Sequence, residues 1–225
     1  MQTEDVSTEF LVKFWPWLEA NRKRLVIVGV VLLVALFVWY YLKTSQEQRE
    51  LAAGQAYTAL QMIPAKTLSA QQLSDDYLKI AKDYSSTLAG QRAQLQAATV
   101  LFEAGRYADA QKLFQGFLDA NAGSPLAATA KLGVAACQES QGKLDDALTA
   151  YRQLDTSYPD TAEGINANFS AGRVLELQGK LTDAVTAYQE IMRSPLAGSL
   201  ASEAAARVAM IQSKLTAQKP APAKS

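Results

Sequence analysis

From Leu25 to Leu42 eighteen consecutive positions carry no charged side chain, whereas the positions that follow mix apolar and polar residues with a helical period. At about 1.5 Å per residue such a run makes roughly 27 Å of helix, close to the hydrocarbon thickness of a bilayer. Trp39, Tyr40 and Tyr41 close it ahead of the polar stretch KTSQEQRE, as suits rings at a membrane–water interface. A cleavable secretory signal has a shorter apolar centre followed by a small-x-small site, which this stretch does not offer. The pattern predicts an uncleaved transmembrane helix over 25–42.

Orientation follows from flanking charge. Lys13, Arg22, Lys23 and Arg24 precede the run, against Lys43 and Arg49 soon after it, and the side richer in Lys and Arg stays cytoplasmic. Residues 1–24 are therefore expected to form a cytoplasmic segment, with everything from Lys43 onward beyond the membrane. In a bacterium with two membranes this means a single-pass inner-membrane protein facing the periplasm. Within the leader, Ser7 or Thr8 can cap a short helix whose apolar positions are Phe10, Leu11, Phe14, Trp15 and Leu18. That spacing predicts an amphipathic helix on the cytoplasmic interface, interrupted or kinked at Pro16.

Beyond the run the pattern repeats. GRYADAQKLF at Gly105, GKLDDALTAY at Gly142 and GKLTDAVTAY at Gly179 start 37 residues apart both times (142 − 105 and 179 − 142). A fixed period in this range marks an array of helical units, each burying its apolar face against its neighbours. Five residues after each glycine stands Ala110, Ala147 or Ala184, where helices must approach closely. The next column is aromatic (Phe114, Tyr151, Tyr188) and the one after it apolar (Phe117, Leu154, Ile191), which is the stripe of an amphipathic helix. Seven residues before each glycine the column is small again, with Ala98, Ala135 and Gly172, and Ala209 continues it one period later.

Each repeated glycine falls between two helical patterns, where a chain leaves a helix with positive φ. Pro125, Pro159 and Pro195 mark the other loops. Helix pairs are expected at 88–104 with 107–120, 125–141 with 144–157 and 162–178 with 181–193, and a closing helix at 199–215. Upstream, QEQRELAAGQAYTALQMI and SAQQLSDDYLKIAKDY read as one more, degenerate pair. The fold class is thus all-α: one transmembrane helix, then a right-handed helical solenoid over 43–215. The end of the chain has no core-forming residue, and 216–225 is expected to be a disordered tail.

These columns resemble tetratricopeptide repeats. Gly105, Tyr107, Ala110 and Phe114 match that family's turn and second helix, as do Gly142, Leu144, Ala147 and Tyr151, and Gly179, Leu181, Ala184 and Tyr188. The period is longer than the commonest one of about 34 residues, and Gln94, Lys131 and Asn168 stand where the family usually has a large aromatic early in the first helix. As a whole, a basic leader, one uncleaved helix, a polar helical stretch and degenerate repeats resemble the ancillary SecYEG translocon subunit family of bacteria. That resemblance implies a periplasm-facing inner-membrane protein that associates with SecYEG translocon subunits and with a membrane-anchored periplasmic chaperone of the prolyl-isomerase type.

Composition narrows the chemistry. Lys plus Arg and Asp plus Glu number 22 each in 225 residues, so no net field attracts nucleic acid. Histidine is absent and Cys137 is the single cysteine, which removes most zinc sites, Ser–His and Cys–His nucleophile pairs and any intrachain disulfide. Cys137, among small residues in GVAACQES, reads as a buried core position. Asp109, Asp146 and Asp183 recur because they share one repeat position, in the first turn of a helix where a carboxylate complements the dipole. No phosphate loop, nucleophile elbow or dinucleotide fingerprint is present. No catalytic residue, metal or cofactor is therefore assigned, and an enzyme ranks behind a binding protein.

A tetratricopeptide array offers a concave surface lined mainly by the first helix of each pair. In the family's register that face receives Arg92, Thr99 and Glu103, then Thr129, Ala136 and Ser140, then Asn166, Arg173 and Leu177. The partner-binding candidates are its polar members, Arg92, Thr99, Glu103, Thr129, Ser140, Asn166 and Arg173, able to grip an unfolded or extended client polypeptide or simply to form a solvated face. Two functions fit. One is a membrane-tethered module assisting secreted or membrane proteins at the translocon; the other is an envelope-assembly or cell-division scaffold. Scaffolds of that kind usually enter by a cleaved signal or a lipid-bearing cysteine, and the sequence shows neither, which favours the first.

Overall fold

A computed structural model describes residues 17, 19–63 and 67–217, and among them every regular element is an α-helix. The leader helix expected around Phe10 to Trp15 lies outside the described residues. The chain divides into two compact units between Ala52 and Ala53.

Helix α1 (Arg22–Gln61) is 40 residues long. It holds the apolar run and continues without interruption into QEQRELAAGQAYTALQ, which the sequence predicts as a separate helix. The reason is local: between Lys43 and Gln61 there is no proline, and Gly54 is the one weak helix former of its kind. Lys43 supports the junction by pairing with Glu47 at 3.9 Å and standing 5.6 Å over the Trp39 ring. The most apolar window of α1 has a mean hydropathy of 2.7 and none of it is buried. This helix is long and apolar enough to cross a membrane.

The second unit contains the end of α1 and then α2 (Ala70–Asp83), α3 (Leu88–Glu103), α4 (Tyr107–Ala120), α5 (Ala127–Ser140), α6 (Leu144–Ser157), α7 (Ala162–Leu177), α8 (Leu181–Arg193) and α9 (Ser199–Ala217). From α3 onward the ends fall within two residues of those predicted. Helix α5 begins late because Pro125 and Leu126 turn first, the Leu126 N–H donating to Ser124 Oγ at 3.1 Å. Helix α9 runs to Ala217, so Thr216 and Ala217, expected in the tail, are helical, and 218–225 lie outside the described residues.

Each helix from α2 to α9 packs on the next. Gly105, Gly142 and Gly179 leave α3, α5 and α7 at φ 77°, 76° and 74°. The following N–H then reaches back into the helix each time: Arg106 to Leu101, Lys143 to Gln138 and Lys180 to Leu175, all at 2.9 Å. These bonds satisfy carbonyls that the helix end leaves open.

The predicted columns are the core. Ala110, Ala147 and Ala184 are fully buried beneath Phe114, Tyr151 and Tyr188. The aromatic column reaches one period further back, to Tyr77 of α2 (114 − 77 = 37), which packs against Tyr57 at the end of α1 with ring centroids 5.6 Å apart. Ala56, Tyr57 and Leu60 thus cover this end of the stack, but α1 and α2 lack the close helix-on-helix packing of the pairs that follow, so the expected upstream pair is met only by side chains at the end of α1. In the small column Ala98 and Ala135 are buried, and a Cβ on Gly172 would lie 2.8 Å from the Tyr188 ring. Ala209 continues the column in α9, which packs on α8 and so extends the array past the last glycine motif, but Ala209 itself is exposed. No helix follows α9 among the described residues to cover it, and around it Ser202, Ala205, Ala206, Gln212 and Ser213 are small or polar, as suits the end of a stack.

Two loops share a further device. The Thr87 and Thr161 hydroxyls donate to the carbonyls of Tyr84 and Tyr158 at 2.7 and 2.9 Å and accept from the N–H of Gly90 and Gly164 at 3.0 and 3.1 Å. Each threonine thereby caps its helix. Tyr84 and Tyr158 are 74 residues apart (158 − 84), two full periods.

Candidate functional site

From α3 onward the first members of successive pairs touch directly, α3 with α5 and α5 with α7. The second members, α4, α6 and α8, have no comparable direct packing among themselves. The stack is therefore tighter on the first-helix side, and residues spaced seven and eleven apart on α3, α5 and α7 form stripes along that side.

Arg92, Glu103, Ser140 and Asn166 are exposed, while Thr99, Thr129 and Arg173 are half-buried. Thr99 donates to the Leu95 carbonyl at 3.0 Å and Asn166 to that of Ala162 at 2.8 Å, each within its own helix. Thr129 instead reaches α7 and donates to Glu163 at 2.9 Å. The structure thus joins Thr129 and Arg173 to neighbouring helices and leaves Arg92, Glu103 and Ser140 facing solvent.

Arg173 makes the strongest of these links. Its Nε and Nη2 donate to Glu139 of α5 at 3.0 and 2.8 Å, a two-point arrangement suited to guanidinium and carboxylate. The Tyr151 hydroxyl donates to the same carboxylate at 2.8 Å. One period on, Tyr188 donates to Glu176 at 2.5 Å and Arg207 Nη1 to the same oxygen at 3.3 Å. Arg207 stands three residues before the register of Arg173 (173 + 37 = 210). Met210, 56 % exposed, holds that position.

Electrostatics follow from these contacts. Burial first, then the adjacent carboxylates, push the Tyr151 and Tyr188 phenols well above their ordinary range. The hydrogen-bonded Glu139 raises Arg173 further. Burial alone pushes the Cys137 thiol up to about 11, away from the thiolate that reactive cysteines need. Asp109, Asp146 and Asp183 lie in first turns as expected, Asp109 being held low by the Arg106 guanidinium it accepts from. Among the described residues no cluster of three or more His, Cys, Asp or Glu is placed to hold a metal.

Glu139, Glu163, Glu176 and Arg207 were not singled out from the sequence. A signal for the glutamates exists, since each lies twelve residues before its tyrosine in two successive repeats (151 − 139 and 188 − 176).

The family model described as a tetratricopeptide repeat-like domain matches residues 15–218, taking in the apolar helix as well as the repeats. The chain belongs to this family. No curated protein matches it significantly. Solved structures to which this tetratricopeptide repeat-like chain is similar include PcrH from Pseudomonas aeruginosa, at 22 % identity over 54 % of this chain and 91 % of that one, with a TM-score of 0.47. The Yersinia enterocolitica type III secretion chaperone SycD, in complex with a peptide of the translocator YopD, has 23 % identity over 55 % and 93 %, at 0.47. A T3SS complex from Aeromonas hydrophila has 19 % identity over 62 % and 90 %, at 0.49. A tetratricopeptide repeat-like fold presents extended surfaces suited to protein–protein interaction.

Proposed function

We propose that the protein is a non-enzymatic, single-pass inner-membrane interaction protein with a cytoplasmic N-terminus and periplasmic repeats. On this reading the first-helix side binds extended segments of client polypeptides at the SecYEG translocon, in company with a periplasmic prolyl-isomerase-type chaperone. The observation that carries the interaction reading is the continuous first-helix side of α3, α5 and α7, where Arg92, Glu103, Ser140 and Asn166 are exposed. Thr99, Thr129 and Arg173 complete the proposed face, the last two by bracing neighbouring helices. The membrane reading draws support from the unburied apolar window and from its inclusion in one family match with the repeats. A tether of this kind raises the effective concentration of the face near membrane partners. The translocon and chaperone rest on the whole-chain resemblance.

Photo-crosslinking in intact cells tests the proposal, with probes at Val31 and Leu36 in α1 and at Arg92, Ser140 and Asn166 on the face. Capture of translocon subunits from α1, and of clients or the chaperone from the face, is expected. Capture of cell-wall or outer-membrane assembly factors alone would replace this reading with the scaffold.

A further inference from the structure

The side of the solenoid opposite the candidate face carries two grooves in the same repeat register. The first, of about 350 Å³, lies between α4, α5 and α6 and is lined by Leu118, Val134, Ala150 and Leu154, with Lys131 and Gln153 at its edge. The second, of about 290 Å³, lies between α6, α7 and α8. Corresponding linings differ by one period: Leu118 becomes Asp155, Lys131 becomes Asn168, Gln153 becomes Glu190. Both grooves exist for a steric reason. Lys131 turns its ammonium over the Tyr158 ring at 5.2 Å, and Asn168 is short, so neither fills the space between successive second helices.

The grooves therefore have one geometry and two chemistries. The first is mainly apolar with one cation, Lys131. The second holds Asp155, Asp183 and Glu190 against Arg152, a net charge of −2 (1 − 3). On the first-helix side the largely buried Glu139 and Glu176 each have an arginine. No cation pairs with Asp155, Asp183 or Glu190 among the described residues, and the Asn168 amide donates to Glu190 at 3.4 Å. Burial, and then the Glu190 charge, hold the Asp155 carboxyl above its ordinary value, and Arg193 lines an adjoining cavity that shares Asp155 and Glu190 without pairing with either.

We propose that this outer side is a second docking surface, for a segment of a partner protein that places an apolar side chain in the first groove and a lysine or arginine in the second. Charge complementarity selects the occupant, because an incoming cation relieves the repulsion between Asp155 and Glu190 while the neighbouring groove removes apolar surface from water. The surface is separate from the client face on the first helices, so either can fail without the other.

The test uses the full chain in detergent and a labelled peptide of repeated Leu-Ala-Ser-Lys units, read by fluorescence anisotropy. A version with glutamine for lysine is the control. The lysine peptide should bind more tightly than the control, and D155N with E190Q should weaken it by at least about fivefold, the loss of one charge-assisted contact. These near-isosteric changes remove repulsion, so the helical signal and melting point should hold; A150W, which blocks the first groove, is the second variant and should also weaken binding. R92A, on the opposite side, should leave this affinity unchanged. Equal binding of both peptides, no binding of the lysine peptide, or a loss caused by R92A alone would overturn the proposal. So would self-association abolished by D155N and E190Q, which would give the groove to a second copy.

Discussion

Arg173 of α7 and Glu139 of α5 are joined through two hydrogen bonds, 34 residues apart in sequence, and the carboxylate they share with Tyr151 is nearly buried. Its side chain is 12 % exposed and that of Arg173 is 42 % exposed. Removing the arginine would leave Glu139 with one neutral donor in a poorly solvated position. Solvent at the guanidinium side moderates the loss, so R173A should cost about 1–2 kcal/mol, between exposed and fully buried pairs. Thermal unfolding checks this, and E139Q with R173A together should cost less than the sum of the two alone. Additive losses would mean that the contact contributes nothing. Arg173 is thus a brace of the proposed face, and any effect on binding should accompany the loss of stability.

Glycine in mid-helix normally costs about 1 kcal/mol relative to alanine, so replacing it with alanine should stabilise. At Gly133 and Gly172 the sign should reverse. A Cβ at Gly133 would stand 2.6 Å from the Phe114 ring, and at Gly172 it would stand 2.8 Å from the Tyr188 ring. Both rings belong to the buried column and have little room to retreat. G133A and G172A should each lower stability by about 1–3 kcal/mol, and A147W, at a fully buried position, by at least that much. A raised melting point for any of them would show that the rings can move aside.

The loop before α7 should be as sensitive as the core although it is near the surface. T161A removes the cap of α7 and the bond to the Tyr158 carbonyl, for about 1 kcal/mol. G164A should be worse, because its Cβ would meet the Tyr158 carbonyl oxygen, a backbone atom that cannot rotate away. Urea unfolding of the two variants should rank G164A below T161A; the opposite order would refute the close approach.

Repetition decides what was legible. Ala147 and Tyr151 could be placed because Ala110, Ala184, Phe114 and Tyr188 repeat their chemistry at a constant interval. Tyr77 stands in the same column, but its helix lacks the glycine motif that announces the others. The Arg173–Glu139 pair had no such support: one period before Arg173 stands Ala136, and one period after it Met210. Its counterpart, Arg207, comes from one turn earlier, so the contact is kept while the column breaks. The exposed part of the face is legible only as a stripe, because solvent-facing residues need not match from repeat to repeat. The continuity of α1 is not legible for a different reason, since a change from apolar to polar sequence marks a change of surroundings and not the end of a helix.

Alkaline pH should loosen the solenoid in two stages. The Cys137 thiol, held at about 11 in the fold, ionises near 8.5 when the chain is unfolded. The Tyr151 and Tyr188 phenols are raised above the ordinary value of about 10. In every case the folded state keeps a proton that the unfolded state releases, so the stabilising effect is complete below the unfolded pKa and declines as pH rises toward the folded one. Stability should therefore begin to fall near pH 9 and steepen above about pH 10, by at most about 1.4 kcal/mol per pH unit for each group. Urea unfolding across this range checks the sign, and variants assign it. C137S should delay the onset. Y188F should start lower, having lost its bond to Glu176, yet fall less steeply above pH 10. A Y188F curve parallel to that of the unaltered chain would show that the Tyr188 proton is not what the fold holds on to.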